Sequence, residues 1–316
     1  MADNLYISNF DMKKFFIKLF CLILLLVAFD FAGGMFFSFI HQQAFERSPY
    51  GLLTEYAMED VHTDVLVVGA SRANHHYVSS VIEDSLGLSV YNAGKDGCGF
   101  LYQCCLIDGI LHRYTPKIII WDMTPYDLSR PLQSDFDQLS DLNVYYDSNE
   151  YCRNLINQKS TYEKYKMFFH SYRYNSKFFS YIFKSIFSYN YPPDGYQPLP
   201  TDGYIFPTLK PEKINDDFND KQLSHLAFII DECRRKQVKL IISLSPKFVK
   251  SDYLQTYVYK KLLEELQTRH IPYTDFYNDS LFMTDSTLYK DNDHLNDKGA
   301  QLFTKRWLEK YQIIIK

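Results

Sequence analysis

A serine becomes a nucleophile when a base takes its hydroxyl proton and a third group holds that base in place. Residues 64–77 read DVLVVGASRANHHY, an apolar run that stops at Gly69-Ala70-Ser71 with Arg72, His75 and His76 directly behind. Ser71 is there either a nucleophile presented at a strand end or a small residue in a tight turn. His75 and His76 lie on the turn or helix leaving Ser71, and are expected to point away from a hydroxyl at the strand tip. The better base is in DNDHLNDKG, residues 291–299. Asp291 and His294 are spaced so that the carboxylate can reach the far ring nitrogen of the imidazole and fix its tautomer. A capped helix start, with Asn296 or Asp297 as N-cap and Asp293 or Asp297 favouring the helix dipole, explains the residues from 296 onward. It does not explain Asp291 and His294.

These residues need a scaffold that brings positions 71 and 294 to one edge. Residues 65–68 form a short β-branched run of the kind that builds a doubly buried parallel strand, followed by a helix over 79–86. LSVYNAG (88–94) and KIIIWDM (117–123) read as the next strands, with a helix over 100–114 between them. After a long interruption come a helix over 222–237, the strand VKLIISLSP, an amphipathic helix over 253–270, the strand IPYTDF and a last helix over 297–311. Five strand-helix alternations predict an α/β fold, a flavodoxin-like, doubly wound, mostly parallel sheet. Ligands bind such sheets beyond the carboxyl ends of the strands, where Ser71, Gly94, Asp122 and Pro246 all fall. Arg72 is a candidate for holding a substrate carboxylate or phosphate, against pairing with a structural acid. Lys247, after Ser245-Pro246, is a second candidate lining residue, against simple loop closure.

Gly-x-Ser after the first strand, Asn-x-Gly after the second and Asp-x-x-His before the last helix, in that order, resemble the SGNH (GDSL-type) hydrolase superfamily over about 60–125 and 220–312. The resemblance implies a three-layer α/β/α domain with Ser71 as nucleophile, His294 as general base and Asp291 as its orienting partner. It also implies oxyanion donors in the backbone N–H groups of Ser71 and Gly94. The chain departs from the family after the third strand, reading WDMTPYD where Gly-x-Asn-Asp is usual. Thr124 is the nearest positional substitute, and Asn92 or Asn74 could contribute an amide. The same departure occurs in a membrane-anchored branch resembling the proteins of alginate O-acetylation and teichoic acid D-alanylation. That branch implies a glycan substrate and a membrane partner that exports the acyl group.

The N-terminus fits that branch. Residues 15–40 are apolar apart from Lys18 and Asp30, long enough for a bilayer core of about 30 Å. Lys13, Lys14 and Lys18 place residues 1–14 in the cytoplasm and everything after the span, through a connector at 41–62 to a domain at 63–316, outside it. A cleaved signal peptide is the alternative. The interruption at about 125–215 holds twelve tyrosines between Tyr145 and Tyr204 and then YPPDGYQPLPTDGY. It is expected to be an inserted cap over the sheet's top edge, helical at first, its aromatics packing the cap or offering faces to sugar rings.

A net charge of −4 with no basic stripe argues against nucleic-acid binding. The six cysteines show no metal-type spacing, and a disulfide among those other than Cys21 is open without a preferred pair. No metal or cofactor is expected. The first functional expectation is an extracytoplasmic acyl-ester enzyme, an O-acetyltransferase or esterase acting on an envelope or extracellular polysaccharide. The second is a catalytically inactive polysaccharide-binding or assembly protein on the same fold. A phosphate site at 69–71 is weaker, because the glycine-rich nucleotide fingerprint is absent.

Overall fold

The computed structural model describes residues 12–129, 131, 133–174, 176–202 and 216–315. Residues 1–11 of the expected cytoplasmic stretch and 130, 132, 175 and 203–215 of the insertion lie outside the described residues. In chain order, α1 (Met12–Arg47) and α2 (Leu53–Glu59) precede an alternation of β1 (Val65–Val68), α3 (Ser71–His76), α4 (Ser79–Leu86), β2 (Val90–Asn92), α5 (Phe100–Arg113) and β3 (Ile118–Asp122). The insertion holds α6 (Gln133–Gln138), α7 (Glu150–Lys159), α8 (Glu163–Lys166) and α9 (Phe178–Ile186). The alternation resumes with α10 (Asp220–Arg235), β4 (Lys239–Leu244), α11 (Tyr257–Thr268), β5 (Tyr273–Asp275), α12 (Ser280–Thr284) and α13 (Asp297–Ile315).

The five strands pair in parallel in the order β2-β1-β3-β4-β5. The chain steps outward from β1 to β2 and then returns past β1 to β3, so the winding direction reverses between β1 and β3. That reversal opens a crevice at their carboxyl ends. Apolar side chains on both strand faces make two cores. Leu66, Val68, Ile119 and Trp121 pack with Leu106, Ile110, Ile229 and Leu262 under α5, α10 and α11. Val65, Val67, Ile118 and Ile120 pack with Ile82, Phe282, Phe303 and Trp307 under α4, α12 and α13. The doubly wound α/β sheet expected from the alternation is the observed one, with helices on both faces.

α1 is a single helix of 36 residues whose most apolar window reaches a mean hydropathy of 2.5 and is wholly unburied. At 1.5 Å per residue it is about 54 Å long, well beyond a hydrocarbon core of about 30 Å. The helix runs past Ile40 to Arg47, so the expected connector starts as helix, and α2 is packed beneath α5 through Ala57 and Met58. The insertion is fastened to the domain by a disulfide between Cys105 on α5 and Cys152 on α7, with Cα atoms 5.3 Å apart. Its aromatic stretch lies along α1: Phe37 packs on Phe178 at 4.5 Å between ring centres, and His41 on Tyr181 at 4.7 Å. Its tail crosses to the β2 edge, where the Asn92 N–H donates to Asp194 O at 2.8 Å and the Gln197 N–H to Asn74 O at 3.2 Å.

Candidate active site

The strand end before Ser71 needs a glycine. Gly69 has φ 156°, and a Cβ there would stand 2.6 Å from Ala73 Cβ and 2.8 Å from the Asp122 carbonyl oxygen. Its absence lets β1 turn into α3 against the end of β3. Ser71 is the first residue of α3, a position where the backbone N–H has no acceptor within the helix. Its Oγ lies 2.7 Å from His294 Nε2.

His294 reaches it from a short two-stranded loop in which Tyr289 bridges Leu295 and the Lys290 N–H donates to His294 O at 2.8 Å. Asn296 ends that loop by accepting the Gly299 N–H at 3.0 Å, which caps α13. Asp291 Oδ1 accepts the N–H groups of Asp293 at 2.8 Å and His294 at 2.9 Å. Both carboxylate oxygens lie 2.9 Å from His294 Nδ1. Burial opposes the Asp291 charge, but bonds from the His294 ring and these two N–H groups outweigh it and hold the carboxyl at about 2. Ser71, His294 and Asp291, distant in sequence, thus form one hydrogen-bonded line, with the carboxylate on the nitrogen away from the hydroxyl.

The neighbouring histidines do not point away, as their place in the sequence suggested. α3 is short and runs between the end of β1 and the His294 loop, so its side chains meet that loop. His76 Nε2 accepts the Leu295 N–H at 3.0 Å, and burial together with nearby positive groups pushes the His76 pKa well down, keeping the ring a neutral acceptor. The His75 ring stands edge-on to His294 at 5.6 Å, with Nε2 3.2 Å from Asp96 Oδ2 and Nδ1 2.7 Å from Gln197 O.

All four side candidates for an oxyanion hole have their donors engaged within the protein. The Gly94 N–H donates to Asn92 Oδ1 at 2.9 Å, and a Cβ on Gly94 would lie 2.4 Å from Asn74 N, so this glycine serves close packing against α3. The Asn92 amide donates to Ala73 O at 2.7 Å and Tyr77 O at 3.0 Å, and the Asn74 amide to Asp96 at 3.0 Å. Thr124 does face the cavity, but its N–H donates to Asp127 at 2.9 Å and its hydroxyl is bound to the same carboxylate. From the loop after β2, the residues that line the cavity with Ser71 are Cys98 and Gly99.

The cavity holds about 490 Å³ at the carboxyl ends of the strands and has a polar wall including Gln103, Asp127, Asp135 and Gln222. Among the described residues of the insertion, Tyr126, Asp127, Ser129, Pro131 and Asp135 line it, and the tyrosines from Tyr145 to Tyr196 do not. Arg72 also lines it, but its donors reach inward, to Met123 O at 3.2 Å and Ser245 O at 3.5 Å, with Nε 3.9 Å from Asp122. Asp122 accepts the Ser245 N–H at 2.9 Å and hydroxyl at 3.0 Å, and the Tyr77 hydroxyl at 2.9 Å. Arg72 is therefore the partner of a buried structural acid. Lys247 pairs with Asp293 at 2.6 Å on the rim. Asp127, raised to about 6 by burial against the bonds from Thr124, was not singled out from sequence. The only signal for it was its place just beyond the third strand. Among the described residues, no group of His, Cys, Asp and Glu has the arrangement of a metal site.

Fold and site define a doubly wound α/β protein with a Ser–His–Asp line at its topological switch point. No family model matches the chain, and no curated protein matches it in sequence. Among solved structures it is similar to a presumed acylhydrolase from Bacteroides fragilis, with 11% identity over 82% of this chain and 94% of that one and a TM-score of 0.40. So loose a match transfers no residue's role.

Proposed function

We propose that the chain is a membrane-anchored, serine-dependent acyl-ester enzyme acting outside the cytoplasm, moving an acyl group, acetyl first, to or from hydroxyls of an envelope or extracellular polysaccharide. The 2.7 Å contact between Ser71 Oγ and His294 Nε2 carries this reading, because it places the base on the proton that must leave. Ser71 Oγ attacks the ester carbonyl while Nε2 takes its proton, and the Asp291 carboxylate, accepting from Nδ1–H, stabilises the imidazolium. The N–H of Ser71 donates to the oxyanion. The tetrahedral intermediate expels the alcohol, which leaves with the proton from Nε2. Water or a sugar hydroxyl, deprotonated by the same nitrogen, then attacks the acyl carbonyl; the acyl–Oγ bond breaks, the acid or acylated sugar leaves, and Nε2 returns the proton to Ser71 Oγ.

The amide and hydroxyl groups of the cavity wall suit a polyol. Location outside the cytoplasm is supported by α1 with its N-terminal lysines and by the Cys105–Cys152 disulfide. The anchor favours transfer over hydrolysis, since it would keep the cavity beside a membrane partner that exports the acyl group.

A second reading, a non-catalytic polysaccharide-binding or assembly protein, is favoured by one observation: the Gly94 and Thr124 N–H groups are both engaged within the protein. The two readings part in one experiment. The full chain in detergent, with Ser71→Ala and His294→Ala beside it, is treated with a fluorophosphonate and with an aryl acetate. Labelling and turnover that disappear in both variants are the expected result. Labelling that survives Ser71→Ala overturns the nucleophile, and none in the parent supports the binding reading.

A further inference from the structure

The aromatic stretch of the insertion leaves the cavity wall and runs beside α1, where its contacts have a consistent direction. The His170 and Ser171 N–H groups donate to Asp30 at 2.8 and 3.2 Å, Phe178 packs on Phe37, and Arg47 reaches Ser185 O at 2.6 Å. Residues 170–185 therefore climb along the second half of α1. Yet the apolar surface of α1 does not end where this contact begins. Met35, Phe36 and Phe39 remain exposed on its other sides, and Phe15 to Phe39 spans about 36 Å at 1.5 Å per residue, at least the whole of a hydrocarbon core. The lower part of the insertion, beside residues 30–39, must then stand at the depth of the outer end of the span.

The outward side chains at that depth fit a lipid surface. Phe168 is 80% exposed and Phe179 82% exposed, and Phe169 and Tyr165 are exposed beside them. Large apolar rings in water are unfavourable, and aromatic residues concentrate where a membrane meets water. Of the cations in 163–187, Lys166, Arg173 and Lys177 are paired with Glu163, Asp147 and Asp141, so this surface would meet lipid chiefly through its rings. Between it and α1 lies an open groove of about 440 Å³ lined by Phe37, Phe169 and Tyr172 with Lys166 at its rim. We infer that α8 and the start of α9 are an interfacial docking surface, with Phe168 and Phe179 set into the headgroup region of the same bilayer that α1 crosses. The domain is thereby held in one orientation to the membrane instead of swinging on its anchor. The Asp141 carboxylate, joined to Lys177 at 2.9 Å and also to Lys95 in the loop after β2, ties that surface to the domain.

The inference rests on α1 being a membrane span, so the test reads the two separately. The chain has two tryptophans, Trp121 and Trp307, both buried. Phe168→Trp, Phe179→Trp, Leu22→Trp in the middle of the span and Tyr257→Trp on α11 are each made in the full chain. All are reconstituted into phosphatidylcholine vesicles with and without bromine on the acyl chains. The added fluorescence at 168 and 179 is expected to fall by at least half, most with bromine near the headgroup. At 22 it should fall most with bromine deep in the chain, and at 257 it should not change. Quenching at 22 without quenching at 168 and 179 overturns the docking surface alone and leaves it to another protein. No quenching at 22 overturns the span and the inference together. Quenching at 257 as strong as at 168 also overturns it, because no particular face then meets the lipid.

Discussion

Asp291→Asn replaces one oxygen by nitrogen and leaves the shape of the site alone, so its effect follows from hydrogen bonds. Asp291 Oδ1 accepts two backbone N–H groups, from Asp293 and His294. The amide oxygen of the variant must take that place, since an NH2 there would face two donors. The amide nitrogen then falls where Oδ2 was, 2.9 Å from His294 Nδ1. It can only donate, and the amide oxygen, also 2.9 Å from Nδ1, is already shared by two N–H groups, so the ring favours carrying its proton on Nε2, pointing at Ser71 Oγ. The base arrives already protonated. Loss of the correct tautomer costs on the order of 10⁴ in rate in serine proteases, about 5 kcal/mol of barrier. The stability effect is separate and smaller. A carboxyl held at about 2 instead of 3.8 corresponds to roughly 2.5 kcal/mol, and 38% exposure of the side chain reduces this to about 1 kcal/mol. Because the folded pKa is depressed, that stability is present above about pH 4 and is lost as the pH falls towards 2. The checks are kcat/KM for an aryl acetate across pH and thermal unfolding at pH 7 and near pH 2. A folded variant retaining more than a tenth of the parental kcat/KM at pH 7 would refute the orienting role of Asp291.

Two further outcomes concern the groups around the triad. Arg72→Met keeps an unbranched apolar stem but leaves the Asp122 charge without its cation, and should cost about 3 kcal/mol in urea unfolding at pH 7; a loss below 1 kcal/mol would mean that Asp122 does not depend on Arg72. Asp127 is raised to about 6, so its folded form holds a proton that the unfolded chain has released, and parental stability falls as the pH rises from about 4 to 6. Asp127→Asn preserves both contacts to Thr124, its oxygen taking the N–H and its NH2 donating to the hydroxyl, so it should match the parent below pH 4. Above pH 6 it should exceed the parent by about 1 to 3 kcal/mol, and equal pH profiles in chemical unfolding would contradict the buried carboxyl.

The layers of the domain and the Ser71, His294 and Asp291 positions were legible in the sequence because their signals are local. A run such as Val65 to Val68 has only one use in a parallel sheet, and Asp291 lies within side-chain reach of His294 along its own loop. The α/β alternation then leaves one edge where the two stretches can meet. What a side chain spends its hydrogen bonds on is not local. Gly94 looks the same in sequence whether its N–H faces a substrate or Asn92, and only the packing of the β2 end on α3 decides between them. Arg72 could serve a substrate until Asp122, brought alongside by strand pairing, claims its charge. The sequence says nothing of where His75 and His76 point, because the path of a short helix past the His294 loop depends on where α13 packs. The cysteines offered no spacing to pair Cys105 with Cys152, and nothing in the run of tyrosines said that Tyr174 and Tyr181 pack beside α1. Periodicity and short-range reach belong to the chain, whereas the partner of a buried polar group belongs to whichever distant segment the tertiary fold sets beside it.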